Sequence, residues 1–191
     1  MKLLFIILIL IFIAVFVVFK LSYGSNDLVY EKATFDNNYY LVRNVNDKSI
    51  AADKLALIKQ NMIKLITYLK DNLKKFPKNT QYVKDLVSRT KVIHIMESSS
   101  DEKYTSYTIN KGEKIVLCLR SIHDMNTIMY VVIHEMAHIG CPEYGHTPLF
   151  KEIFKFLLTQ ASIIKIYTPV DYRLNPQDYC GMTINEYLLD T

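Results

Sequence analysis

The chain has 191 residues, 50% of them hydrophobic and 22% charged, with a formal net charge of +4. That is one globular domain with a short appendage, and a charge so near balance makes no case for nucleic acid. Three cysteines, Cys118, Cys141 and Cys180, are an odd number and exclude a disulfide scaffold as the organising principle.

After Met1 and Lys2 the sequence is apolar without a break from Leu3 to Phe19, and Lys20 closes the run. Seventeen helical residues span roughly 25 Å, the lower edge of what crosses a bilayer core. The expectation is an uncleaved, single-pass transmembrane anchor over 1–20. A cleaved signal peptide competes, but the small-residue cleavage pattern is missing from "KLSYGSN", and a buried core helix is a third reading. Lys2 on one side against Lys20 and Lys32 on the other gives orientation little to rest on. The cysteine count and the lack of any Asn-x-Ser/Thr acceptor tilt toward a domain facing a reducing compartment.

Residues 21–27, "LSYGSND", read as a tether, and the folded domain is expected over 28–191. "NYYLVRNV" (38–45) has the aromatic and β-branched content of a strand. From Ser49 to Phe76 the apolar residues Leu55, Ile58, Met62, Leu65, Ile66, Leu69, Leu73 and Phe76 recur at three and four, which predicts a long amphipathic helix ended by Pro77. Residues 53–91 are rich in lysine; a solvated face explains this more simply than a contact with phosphate or anionic membrane. "KVIHIMES" (91–98) reads as a strand and 105–120 as a hairpin with a two-residue turn at Lys111 and Gly112.

"DMNTIMYVVIHEMAHIG" then predicts a helix, capped by Asp124 or Asn126 and stopped by Gly140 ahead of Pro142. Thr147 and Pro148 open another through 167 with an apolar face. The order implies an α+β domain, a small and mostly antiparallel sheet packed on helices.

The chemistry lies in "HEMAHIGCPEYGH" (134–146). Residues four apart share a helix face, so His134 and His138 can hold one ion between their imidazoles. Glu135, about 100° around the helix, can reach a water on that ion and take its proton. Zn2+ suits two or three imidazoles with one open position. His146, beyond the helix stop, is the expected third ligand; Cys141 and Glu143 are its rivals, with Cys141 better read as a packing residue. His94 and His123 read as structural.

"HEMAH" followed by "GHTPLF" resembles the WLM and SprT-like zinc metallopeptidases, in which an aromatic at a helix start follows the third His. "TSYTINKGEKIVLCLRS" through "NPQDYCGMTI" is similar to the version encoded by large nucleocytoplasmic DNA viruses, often behind an N-terminal hydrophobic segment. The resemblance covers roughly 36–185. It implies a compact zincin-like fold whose edge strand, within 105–120 here, lies beside the catalytic helix and pairs with an extended peptide. An oxyanion donor is also implied; Tyr167, Tyr172, Tyr179 and Arg120 are candidates, and Cys180 is a weaker candidate for an inhibitory thiolate on the zinc.

The expected function is therefore a membrane-anchored zinc endopeptidase in a host or virion membrane, with His134, His138 and His146 on the metal, Glu135 as base, and a protein or peptide as substrate. A catalytically inactive zinc-binding virion or membrane-surface structural protein is the alternative. A binder of anionic surfaces or nucleic acid through the lysine-rich helix comes third.

Overall fold

The structure, a computed structural model, describes residues 9, 11–13, 27–101, 106–120 and 124–189. Among these no helix is long and apolar enough to cross a membrane. The anchor expected over 1–20, the membrane contact through residues 3–19 and the single-pass location are corrected accordingly. An apolar run becomes a span only where it forms one helix long enough for the hydrocarbon, and most of this run lies outside the described residues.

The described part is α+β, with three small sheets where one was expected. Strands β1 (Leu28–Lys32) and β2 (Tyr39–Arg43) form an antiparallel pair from Leu28↔Arg43 to Lys32↔Tyr39. In β2 the side chains alternate, with Tyr40 and Val42 buried. No residue of β1 is buried, so it carries no period-two signal to find.

Helix α1 (Lys48–Asp71) lies against both strands and buries Leu55, Ile58, Met62, Leu65 and Leu69 from the predicted stripe, with Ala51, Ala52 and Ala56 beside them. It stops about one turn earlier than periodicity suggested, where Asn72 Nδ2 donates to the Tyr68 carbonyl at 2.9 Å. Two tight turns, Leu73–Lys75 and Pro77–Asn79, lead into α2 (Thr80–Arg89), which sequence reasoning missed. Val83 and Leu86 are its buried residues, too short a stripe to stand out in a lysine-rich stretch.

In the central sheet the order is β3-β5-β4, with β3 (Ile95–Glu97), β4 (Tyr107–Ile109) and β5 (Lys114–Leu117). β4 pairs antiparallel with β5 but β3 pairs parallel with it, so the sheet is mixed rather than mostly antiparallel. The β4–β5 connection is four residues, not two: Asn110, Lys111 and Gly112 take φ of 47°, 51° and 113°. Glu97 is fully buried and is forked by Arg120, with Nε at 2.5 Å and the second guanidinium nitrogen at 3.0 Å, while the Arg43 N–H donates to it at 2.7 Å. A buried carboxylate is tolerated because it is paired and hydrogen-bonded in this way.

Helix α3 (Met125–Gly140) runs through the middle, touching α1, α2, β4 and α4 (Pro148–Ile163). Every residue from Thr127 to Ile133 is buried. A hairpin of β6 (Gln177–Tyr179) and β7 (Met182–Ile184), turned by Cys180 and Gly181 at φ of 48° and 86°, closes the fold. Cys180 is disulfide-bonded to Cys118, just past β5. That corrects three readings: two of the three cysteines do pair, Cys180 offers no thiolate to a metal, and the expected reducing compartment loses its main support, because disulfides persist in oxidising surroundings.

Candidate metal site

Helix α3 sets the first two histidines. Asp124 caps it, accepting from the N–H groups of Asn126 and Thr127 at 3.1 and 2.9 Å and from the Thr127 hydroxyl at 2.7 Å. Burial by itself would raise the Asp124 carboxyl, but those hydrogen bonds outweigh it and hold the group below the usual carboxylate range. His134 and His138 then project one turn apart from the same face.

Gly140 is the helix's last residue and not a left-handed stop; Cys141 follows in extended conformation. The glycine answers a close approach, since a Cβ there would lie 3.2 Å from the Tyr82 carbonyl oxygen of α2. The chain turns through Cys141–Gly145 and returns His146 to the histidines of α3. Thr147 then caps α4, its hydroxyl accepting from the Phe150 N–H at 3.2 Å.

The Nε2 of His134 lies 3.2 Å from that of His138 and 3.0 Å from that of His146, and one ligand atom from each residue falls within 4.8 Å of the others. Three imidazoles around a tetrahedral ion at about 2.05 Å would stand about 3.3 Å apart, so the donor set fits zinc in type and spacing. Burial pushes His134 down to about 3, helped by His138 and His146. Burial, His146 and Lys111 push His138 down to about 4. Both are therefore neutral near pH 7, the form that binds metal. Phe150 stacks on His138, ring centroids 4.2 Å apart, and meets His134 and His146 edge-on at 4.9 and 5.0 Å.

Glu135 and the three histidines line one groove of about 950 Å³. Burial pushes the Glu135 carboxyl up to about 7, against the lowering pull of a hydrogen bond from the Thr108 backbone N–H on β4. Tyr179, of the oxyanion candidates, also lines the groove, but its hydroxyl is 2.5 Å from Ser106 Oγ and donates to the Cys118 carbonyl at 3.0 Å. Arg120 is engaged with Glu97 and Asp47, while Tyr167 and Tyr172 are buried beside Tyr130. Tyr130 itself lines the groove, one turn before His134, and that i, i+4 spacing was the overlooked signal. Cys141 is unpaired and buried in the core, as a packing residue would be; Glu143 lines the groove; His94 is exposed and His123 lies outside the described residues.

The membrane-anchored endopeptidase expected from the sequence is corrected on this ground: no described helix is long and apolar enough to cross a membrane. What stands is an α+β domain with a three-histidine cluster that could hold a metal ion.

No protein-family model matches the chain, and no solved structure does. Over 185 residues it is 40% identical to "Uncharacterized protein R325" of Acanthamoeba polyphaga mimivirus, covering 94% of each chain. Shorter stretches are similar to two proteins of invertebrate iridescent viruses. "Uncharacterized protein 136R" of Invertebrate iridescent virus 6 is 42% identical over 69 residues, 32% of this chain and 38% of that protein. "Uncharacterized protein 042R" of Invertebrate iridescent virus 3 is 43% identical over 74 residues, 36% and 45% of the two. Identity of 40% over nearly the whole of both chains means that this chain belongs to the viral protein family represented by the mimivirus protein.

Proposed function

We propose that His134, His138 and His146 bind one Zn2+ and that the groove around them hydrolyses peptide bonds, in the manner of the WLM and SprT-like peptidases the motif resembles; no membrane anchorage belongs to this reading. The observation that carries it is the convergence of three imidazoles, those of His134 and His138 held neutral by burial, beside a carboxyl that burial pushes up to about 7. Zinc bound there would supply Lewis acidity toward water and a peptide carbonyl. Glu135 would take the proton of the attacking water, a task suited to a group whose pKa lies near the working pH. Backbone groups of β4 on the open side of the sheet would align an extended peptide along the groove.

A second reading keeps the zinc and drops the chemistry: a zinc-binding structural protein of the virion. One observation favours it. The hydroxyl of Tyr179, the oxyanion candidate that lines the groove, is already engaged, donating to the Cys118 carbonyl at 3.0 Å. Metal analysis of the full-length chain, purified without added metal, separates the outcomes when paired with a peptide-library cleavage assay. One zinc per chain, weakened in His146→Ala, with cleavage lost in Glu135→Gln, supports the hydrolase. One zinc and no cleavage by the wild type supports the structural protein, and no zinc even when it is offered removes both.

A further inference from the structure

His146 is presented by the segment Cys141–Gly145, which has no regular secondary structure and is exposed from Pro142 onward. A ligand on such a segment is well placed only if something fixes the backbone beneath it. Lys111, thirty residues away in the β4–β5 turn, supplies that fixture. Its ammonium donates to the carbonyls of Cys141 at 2.6 Å, Pro142 at 3.0 Å and Glu143 at 3.1 Å, and it stands 4.4 Å from the centre of the Tyr144 ring. An ammonium has three protons, and here they meet three successive carbonyls.

The turn is itself fastened to the end of α3. Gly112 approaches so closely that a Cβ would lie 3.0 Å from Ile139 Cγ2 and 3.4 Å from the Arg89 carbonyl oxygen. Arg89 in turn donates to the Ile139 carbonyl at 2.5 Å. Two cations thus sit at the C-terminus of the helix that carries His134 and His138, where the helix dipole favours positive charge.

We propose that Lys111 is a positioning residue for the third metal ligand: by gathering the carbonyls of 141–143 around its ammonium it shapes the loop that brings His146 to the other two histidines. The inference rests on the zinc reading above. A lysine that merely stabilised the fold would affect metal binding equally whether or not His146 were present. One that acts through His146 would lose its effect once that imidazole is gone.

The test is a double-mutant cycle on zinc affinity in the full-length chain, using wild type, Lys111→Met, His146→Ala and the double variant, with a chromophoric chelator as competitor. The visible spectrum of bound Co2+ reports the ligand set. Lys111→Met should weaken zinc about 10- to 100-fold, the cost typical of removing a group that orients a ligand. It should shift the cobalt spectrum toward that of His146→Ala and add no further loss in the His146→Ala background. Lys111→Arg, which keeps a cationic donor, should recover part of the affinity, and it carries the test if Lys111→Met does not fold. Unchanged affinity in Lys111→Met, an equal loss in both backgrounds, or no difference between Lys111→Arg and wild type without a folded Lys111→Met would overturn the proposal. A wild type that binds no zinc would overturn the zinc reading as well, which distinguishes the two failures.

Discussion

At the residue scale the site combines two kinds of information. The spacing of His134, Glu135 and His138 needs only helix periodicity, so these positions could be read directly from sequence. His146 could be read because a glycine, a proline and a capping threonine bracket a turn short enough to return the chain. Lys111 could not, because a lysine in a hairpin turn has no pattern, and its role appears only when the turn docks on α3. The expected result of Glu135→Gln follows from the same geometry. The amide would keep the shape of the carboxyl and could not take a proton, so zinc content should stay at the wild-type level while any peptide cleavage falls by about 10²–10⁴-fold. Zinc content and turnover measured on one preparation check this, and equal turnover by the two proteins would remove Glu135 from the chemistry.

At the scale of elements, α1, α3 and α4 were legible because each buries a long stripe and two of them carry side-chain caps. β1, α2 and the β6–β7 hairpin were not, since each is short or buries few residues and so owes its form to its neighbours. Asp124 is the cap most directly tied to the metal helix. Asp124→Ala should lower stability by about 1 kcal/mol near pH 7. The carboxyl's pKa is lower in the folded state, so its contribution is present above the unfolded value near 3.9 and fades as pH falls through the folded one. Thermal unfolding of wild type and variant should therefore differ at pH 7 and converge once the pH has fallen below the folded-state value; a gap that persisted in acid would mean that the ionised cap is not its source. Gly140→Ala makes an opposite demand. An alanine would ordinarily favour a helix by about 1 kcal/mol over glycine, but here its Cβ meets the backbone of α2 at 3.2 Å. Helix α2 would have to move away, so the variant should be less stable than wild type in denaturant unfolding, despite its better propensity.

For the whole molecule, the groove depends on parts far apart in sequence. Helix α3 and the loop to His146 supply the metal side, β4 one edge, and Tyr179, Met182 and Ile184 of the C-terminal hairpin line another part of the wall. A two-stranded hairpin is marginal alone. This one is held by the buried Tyr179 and by the disulfide from Cys180 to Cys118, 62 residues away. Cysteine parity misled because it treats all cysteines as one set, whereas Cys141 is a core residue that leaves the other two to pair. Replacing Cys180 by serine should cost about 2–4 kcal/mol of stability. The loss should be uneven. Amide exchange should accelerate most in 177–184, while α3, held by α1, α2 and α4, keeps its protection and its zinc affinity. Peptide binding to the groove should weaken, since one wall is loosened and the histidines are not. Exchange that rose evenly through α3 would show instead that the disulfide stabilises the domain as a unit, and the hairpin would then be part of the core that supports the metal site rather than a separately tethered wall of the groove.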